Sequence, residues 1–243
     1  MENRRRMTWA GRLLVGLLLV GGAVLALRPG SSESAAVEFR DPVVWAAANA
    51  TGEVVEVNGA TGEVVARTVV GEPGDDLAVL QWGTDAVVLN RTRGELSRVA
   101  AATVQQVAVV AVSTSGAAAL LDGGDRVHVV AADRLTSVDP DHVSVELERA
   151  LQDAGAAVVD GAGTPWFVER GTASVRHLAD GVVVTGVADV SPGVASLVAV
   201  GGDVLVVDGP AAAVAAVRDG RLEAAGCLAE QIDGALEAAA GSA

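Results

Sequence analysis

The chain of 243 residues has no lysine, no tyrosine, one cysteine, two phenylalanines and four tryptophans. Each scarcity narrows the range of functions. A nucleic-acid platform stacks bases on aromatic rings and follows phosphates with basic surface. Six aromatics and a net charge of −14 argue against one. A single cysteine permits no internal disulfide, so an exported domain must be held by packing alone. Cys227 reads as a small buried or tail residue. Arginine supplies all the basic charge, which suggests the codon bias of a GC-rich bacterial genome rather than a physical requirement.

What the chain has in excess is Ala, Val, Leu and Gly, with 51% hydrophobic residues. The first 28 residues differ from the rest. Arg4, Arg5, Arg6 and Arg12 precede an unbroken apolar run from Leu13 to Leu27, and Arg28 closes it. Fifteen helical residues span only about 22 Å, short of the roughly 30 Å hydrocarbon core. Counting from Thr8 and letting Arg12 snorkel gives enough length. Two readings stay open: an uncleaved signal anchor, which is favoured, and a signal peptide cut after Ala36. Both place the N-terminus in the cytoplasm and the remainder outside, because the arginines gather before the run. The expectation is therefore a single-pass cell-membrane protein with an extracytoplasmic domain, or a secreted one. No cysteine stands at the end of the run, where a lipoprotein would need one, which rules out a lipoprotein. Residues 29–243 carry 12 Arg against 30 Asp plus Glu, a net of −18. Such a domain repels nucleic acid and anionic headgroups.

The main signal is a strand-turn-strand phrase repeated about every forty residues. It reads VLQWGTDAVVLN, ALLDGGDRVHVV, VVDGAGTPWFVE and LVAVGGDVLVVD, with turn glycines at Gly83, Gly124, Gly163 and Gly202. Their spacings are 41, 39 and 39. A fixed period of this size marks the four-stranded blade of a β-propeller. The fold class is thus all-β, a propeller of about five four-stranded units in a closed or an incomplete ring, after one N-terminal transmembrane or signal helix. The boundaries are 1–28 for the anchor or signal, 29–41 for a polar linker, 42–226 for the repeats and 227–243 for a helical tail. The first unit begins at Val43 with three strands and lacks the leading strand. Its turns end at Gly52 and Gly62, glycines suited to the left-handed conformation of a hairpin. The later units run from about Ala117 to Glu148, Ala156 to Val190 and Ala195 to Gly226. Strands packed on both faces can be apolar throughout, as in Val182-Val183-Val184 and Val204-Leu205-Val206-Val207. Two stretches read as helical: Ser144 to Ala154, whose first half also reads as a strand, and Leu228 to Ala240.

The first unit resembles the YVTN-type β-propeller repeat. The match is carried by Val43-Val44-Trp45, Asn49, Gly52, Val54-Val55-Glu56-Val57 and Asn58-Gly59-Ala60-Thr61-Gly62-Glu63. With the N-terminal membrane segment, the chain also resembles the exported propeller at the front of large fibronectin type III-containing proteins of high-GC Gram-positive bacteria. That resemblance implies a binding or scaffold module. It also raises the reading of a truncated relative of a larger surface protein without independent function. Residues 43–100 carry the detailed match, and the later units match through the Gly-Asp hairpin.

Specific chemistry finds little purchase. The docking turn of quinone propellers would need a Trp where Ala66 stands, after Asn58 and Thr61-Gly62. A propeller hydrolase or lactonase would draw on His128, His142 and His177 with Asp125, Asp139, Asp141 and Asp180. None of these has the spacing of a zinc or calcium motif. No Gly-x-Ser-x-Gly elbow exists. The acidic stretches Glu72–Asp76 and Asp122–Asp125 read as solvated turns, and Asn49 and Asn90 as turn asparagines bonding their own backbone. The sequence therefore assigns no catalytic, cofactor-binding or metal residue. It supports a non-catalytic, membrane-tethered binding module, with the hydrolase as the alternative. The expected partners are the membrane, through the N-terminal helix, and a protein or envelope component.

Overall fold

The computed structural model describes residues 43–188, 190, 195–208, 213–218 and 221–227, all within one compact unit, Phe39–Ala243. The expected anchor, linker and C-terminal helix from Leu228 to Ala240 lie outside the described residues. Among the described residues, no helix is long and apolar enough to cross a membrane.

Every sheet is an antiparallel meander. The first holds β1 (Val43–Ala48), β2 (Glu53–Asn58) and β3 (Val64–Val69). The second holds β4 (Leu77–Trp82), β5 (Asp85–Asn90), β6 (Glu95–Ala100) and β7 (Gln105–Ala111). The third holds β8 (Ala119–Asp122), β9 (Val127–Val130), β10 (Arg134–Asp139) and β11 (Ser144–Ala150). The fourth holds β12 (Ala154–Val159), β13 (Pro165–Glu169), β14 (Ser174–Ala179) and β15 (Val182–Ala188). The fifth holds β16 (Ala195–Val200), β17 (Asp203–Asp208), β18 (Ala213–Arg218) and β19 (Arg221–Cys227). Consecutive strands pair throughout, as short turns between β-branched runs dictate.

A bulge marks the same strand in every sheet. Register slips between the last two strands at Glu56/Val57, Arg98/Val99, Ser137/Val138, Val175/Arg176 and Val214/Ala215. An extra residue there increases the local twist, which a blade needs. The bulge also fixes the equivalence of β2, β6, β10, β14 and β18. By that register, β1–β3 correspond to the last three strands of a blade. Among the described residues, the first sheet has no innermost strand, as the sequence predicts.

Period-two alternation explains the unbroken apolar strands. In β5, Ala86 and Val88 face the first sheet with its Trp45 and Val54, while Val87 and Leu89 face the third with Val127, Val129 and Val138. In β13, Phe167 faces back to Val130 and Leu135, and Val168 faces forward to Leu197 and Val206. A strand with a core on each side needs no polar face. Four such cores join the five sheets in sequence. Fully burying one side chain such as Phe167 contributes about 2–3 kcal/mol. Among the described residues, none of these four buried apolar cores joins the fifth sheet to the first.

Two expectations need correction. Ser144 to Ala154 is not helical. It is strand β11 followed by a short link into β12. Backbone pairing with β10 holds it there, with Glu148 3.1 Å from Arg134 across the two strands and Glu146 3.3 Å from Arg126 in the β8–β9 turn. Val182-Val183-Val184 does not belong to an inner strand. It opens the outermost strand β15, where Val182 is exposed.

Candidate binding face

A meander sorts its turns to two ends. The β4–β5 and β6–β7 turns, and their equivalents, share one end of the blades. The β5–β6 turns share the other end with the links between sheets. The first end is the hairpin end and the second the link end.

At the hairpin end, glycines pack on glycines. A Cβ on Gly163 would lie 2.0 Å from the Gly123 carbonyl oxygen, and one on Gly161 would lie 2.8 Å from Gly202 Cα. Gly161 N–H donates to the Gly202 carbonyl at 3.2 Å. A shallow hollow of about 500 Å³ lies over the turns, beside Asp122 and Asp160. His128 sits beneath them, 2% exposed. Its Nδ1 is 2.9 Å from Ser137 Oγ. Burial pushes the imidazole down to about 4, against a backbone hydrogen bond with Gly163 that opposes the shift, so His128 is neutral near pH 7.

The structure scatters the other residues singled out in the sequence. His142 is an exposed turn residue whose Nδ1 lies 2.6 Å from Asp139 Oδ2. That hydrogen bond raises the His142 pKa and lowers that of Asp139. His177 stacks on Trp166, with ring centroids 4.2 Å apart, and burial lowers its pKa. Asp125 pairs with Arg126 at 2.7 Å, and Asp141 lies 3.8 Å from Arg98. Asp180 takes a positive φ of 50° in the β14–β15 turn. Among the described residues, no group of three His, Cys, Asp or Glu side chains could hold a metal ion. The Asn58 turn is a plain one, with Asn58 Oδ1 accepting from Ala60 and Thr61 N–H at 2.9 and 3.2 Å.

The link end is built differently. At the end of the second blade strand, a polar side chain ties the incoming chain to its blade. Asn49 Oδ1 accepts from Leu77 N–H at 3.3 Å, across to the second sheet rather than to its own turn. Asn90 accepts from Arg93 N–H at 3.0 Å, as a turn asparagine should, and donates to Asp75 at 2.7 Å. The Asp75 side chain is therefore buried, not solvated. Asn90 and the Glu72 backbone, with Arg93, hold its pKa below the ordinary value. In the fourth sheet Glu169 takes this role. It accepts from Gln152 N–H, Thr172 and Arg176 at 2.9, 2.8 and 2.6 Å. Burial alone would raise its pKa, but the Arg176 hydrogen bond and its companions outweigh burial and lower it.

The next residue along sets the surface. Arg91, Ala132 and Arg170 each donate their backbone N–H to the incoming link, at Asp76, Ser115 and Asp153 carbonyls. They are equivalent positions in three successive blades. Arg91 Nη1 lies 3.1 Å from Asp76, and its Nε donates to the Ala118 carbonyl at 2.6 Å. Arg170 Nη1 lies 3.3 Å from Asp153. Its guanidinium lies over Gly155, where a Cβ would come within 3.0 Å of Nε. Two hollows adjoin here. One of about 660 Å³ is lined by Asp76, Arg91, Thr92, Thr114 and Ala118. The other, of about 380 Å³, is lined by Arg91, Ala118, Ala132, Asp153, Gly155 and Arg170. Both fall in the size range of small-ligand sites. Sequence reasoning missed Arg91 and Arg170. The one available signal was their place directly after Asn90 and Glu169.

No protein-family model and no curated protein matches the sequence. Solved structures do match in fold. Virginiamycin B lyase from Staphylococcus aureus is 11% identical, with a TM-score of 0.56 over 74% of this chain and 65% of the lyase. A functionally unknown protein from Desulfotomaculum acetoxidans is 13% identical, with a TM-score of 0.60 over 79% of this chain and 68% of that one. The dihydro-heme d1 dehydrogenase NirN is 14% identical, with a TM-score of 0.59 over 77% of this chain and 44% of NirN. The chain thus spans about 65% of the length of the lyases it matches. At such identities the likeness is one of fold, and the fold is that of β-propeller proteins.

Proposed function

We propose that the chain is a non-catalytic, membrane-tethered, extracytoplasmic propeller that binds a protein or envelope partner through its link end. The observation that carries this reading is the pair of adjoining hollows around Arg91, on the face where the links gather. Loops on a rigid sheet scaffold are where binding residues concentrate. The tether and the location outside the cytoplasm rest on the arginine-flanked apolar run Leu13–Leu27. The propeller-hydrolase alternative needs carboxylates and a histidine around one reacting atom. His128 is paired with Ser137, His142 with Asp139 at an exposed turn, and His177 stacks on Trp166, and among the described residues no group of three His, Cys, Asp or Glu gathers at any of them.

The test is site-specific photocrosslinking in the cells that make the protein. A photoreactive residue at Thr114, on the link end, should give a discrete adduct. The same residue at Thr61, in a turn at the hairpin end, should give none. Equal adducts at both positions, or none at either, would overturn the reading.

A further inference from the structure

The hollow between Arg91 and Arg170 has the features of a site for one kind of chemical group. Three successive blades present equivalent positions there, and the middle one is Ala132. In the second and fourth sheets four residues, 91–94 and 170–173, link the paired strand ends Asn90–Glu95 and Glu169–Ser174. In the third sheet Ala131 N–H donates to Arg134 O, leaving only Ala132 and Asp133 in the turn. A shorter turn with a methyl side chain leaves open the space that an arginine would fill. The two flanking arginines face that space.

Both guanidinium groups are held in place before any ligand arrives. Arg91 is fixed on two sides, by Asp76 and the Ala118 carbonyl. Arg170 is fixed by Asp153 and lies flat over Gly155. Among the described residues, Nη2 of Arg91 and both Nε and Nη2 of Arg170 make no hydrogen bond. Free N–H groups on a fixed, planar fork match the two oxygens of a carboxylate. The arginines are also the deeper members of their pairs. Arg91 and Arg170 side chains are 29% and 43% exposed, against 58% and 59% for Asp76 and Asp153. Both arginines line the hollow, with Asp153 beside Arg170 in the same lining and Asp76 in that of the adjoining hollow. Two carboxylates beside the arginines, on a domain of net charge −18, disfavour a phosphate or polyanion more than a single carboxylate. The walls between are alanine and glycine, which suit a small apolar body.

We propose that this hollow binds an organic monocarboxylate with a small apolar body, either a free acid or the C-terminal carboxylate of a peptide. The proposal rests on the reading of the link end as the binding face, and it names the group that face recognises.

The experiment uses the full chain in mild detergent and follows the arginine Nε–H signals by NMR. Signals are assigned with Arg91→Gln and Arg170→Gln variants. The probes are N-acetyl-Ala-Ala-Ala, its C-terminal amide, propionate and inorganic phosphate. The free-acid peptide should shift the Arg91 and Arg170 signals to saturation, and the amide should shift neither. Arg170→Gln should weaken binding by about tenfold or more, the loss of a charge-assisted hydrogen bond. Ala132→Leu, which keeps both arginines and fills the space, should abolish it. Saturation by propionate at the same concentrations identifies a free acid as the source. Saturation by the peptide alone identifies a C-terminus. Tighter binding of phosphate, equal binding of the amide, or undiminished binding by Arg170→Gln would overturn the proposal. If no probe binds while the Thr114 crosslink persists, the carboxylate assignment falls and the binding face stands.

Discussion

Single residues decide how this protein responds to acid. His128 is buried and neutral, with its folded pKa pushed down to about 4 from an unfolded 6.5. The unfolded chain therefore binds a proton that the folded chain refuses. The stability associated with His128 is fully present above pH 6.5 and is lost as the pH falls toward 4. At 1.36 kcal/mol per pH unit the loss approaches about 3 kcal/mol. His177, also shifted down by burial, adds a slope of the same sign. Urea unfolding of wild type should show stability falling between pH 6.5 and 4, and His128→Gln should flatten most of that fall. An unchanged slope in the variant would show that His128 is not the titrating group. Glu169 acts lower on the scale. Its depressed pKa provides stability above 4.5 that is lost below it. Its removal at neutral pH should be severe. Glu169→Ala leaves Arg176, Thr172 and the Gln152 N–H without their acceptor, at a cost of about 3–5 kcal/mol. The exposed pair of Asp203 and Arg218 is the control, and Asp203→Ala should change stability by less than about 1 kcal/mol. Denaturant midpoints of the two variants, at equal slope, make the comparison.

At the scale of turns and strands, glycines that look alike in sequence differ in cost. Gly62 and Gly163 both have positive φ, 73° and 79°. A Cβ on Gly62 meets nothing within 4 Å, while one on Gly163 meets the Gly123 carbonyl of the neighbouring blade at 2.0 Å. Gly62→Ala should cost only the left-handed strain, about 1–2 kcal/mol. Gly163→Ala adds a backbone clash between blades and should cost more. Thermal melts of the two variants test the order, and an equal loss would mean that the blades separate freely at this turn. Repeat spacing makes both glycines legible as turn residues, because a tight hairpin turn needs a left-handed residue wherever it occurs. It says nothing of which turn touches the next blade, because that depends on contacts between residues about forty apart. The same limit explains Ser144 to Ala154. Leu147 and Leu151 are spaced for a helix, but alternation in an edge strand with Glu146 and Glu148 on one side also fits. Backbone pairing with Arg134–Asp139 of β10 settles the matter. The site was less legible than the fold. Asn49, Asn90 and Glu169 occupy one structural position with three different partner sets, and the arginines after Asn90 and Glu169 face a space defined by a missing side chain at Ala132. A gap between blades leaves no local pattern in the chain.

For the whole molecule, stability depends on how many neighbours each blade has. Four cores join five sheets, so the third sheet is packed on both faces. Among the described residues the first and fifth sheets are each packed on one. Stacked repeats gain stability chiefly from such interfaces, and in a linear array the ends open first. Amide hydrogen exchange should therefore rank the sheets. Central strand β9, buried along its whole length, should exchange most slowly. Strands β1 and β18 should exchange faster, though each is hydrogen-bonded to a strand on at least one side. Phe167→Ala sharpens the comparison. It hollows the core between the third and fourth sheets and should cost about 3–5 kcal/mol. In a linear array that loss falls on the fourth and fifth sheets, whose amides should lose protection, while the first and second keep theirs. In a ring closed by residues outside those described, the fifth sheet would still be braced by the first. Protection would then fall evenly around all five sheets, and β1 would exchange as slowly as β9.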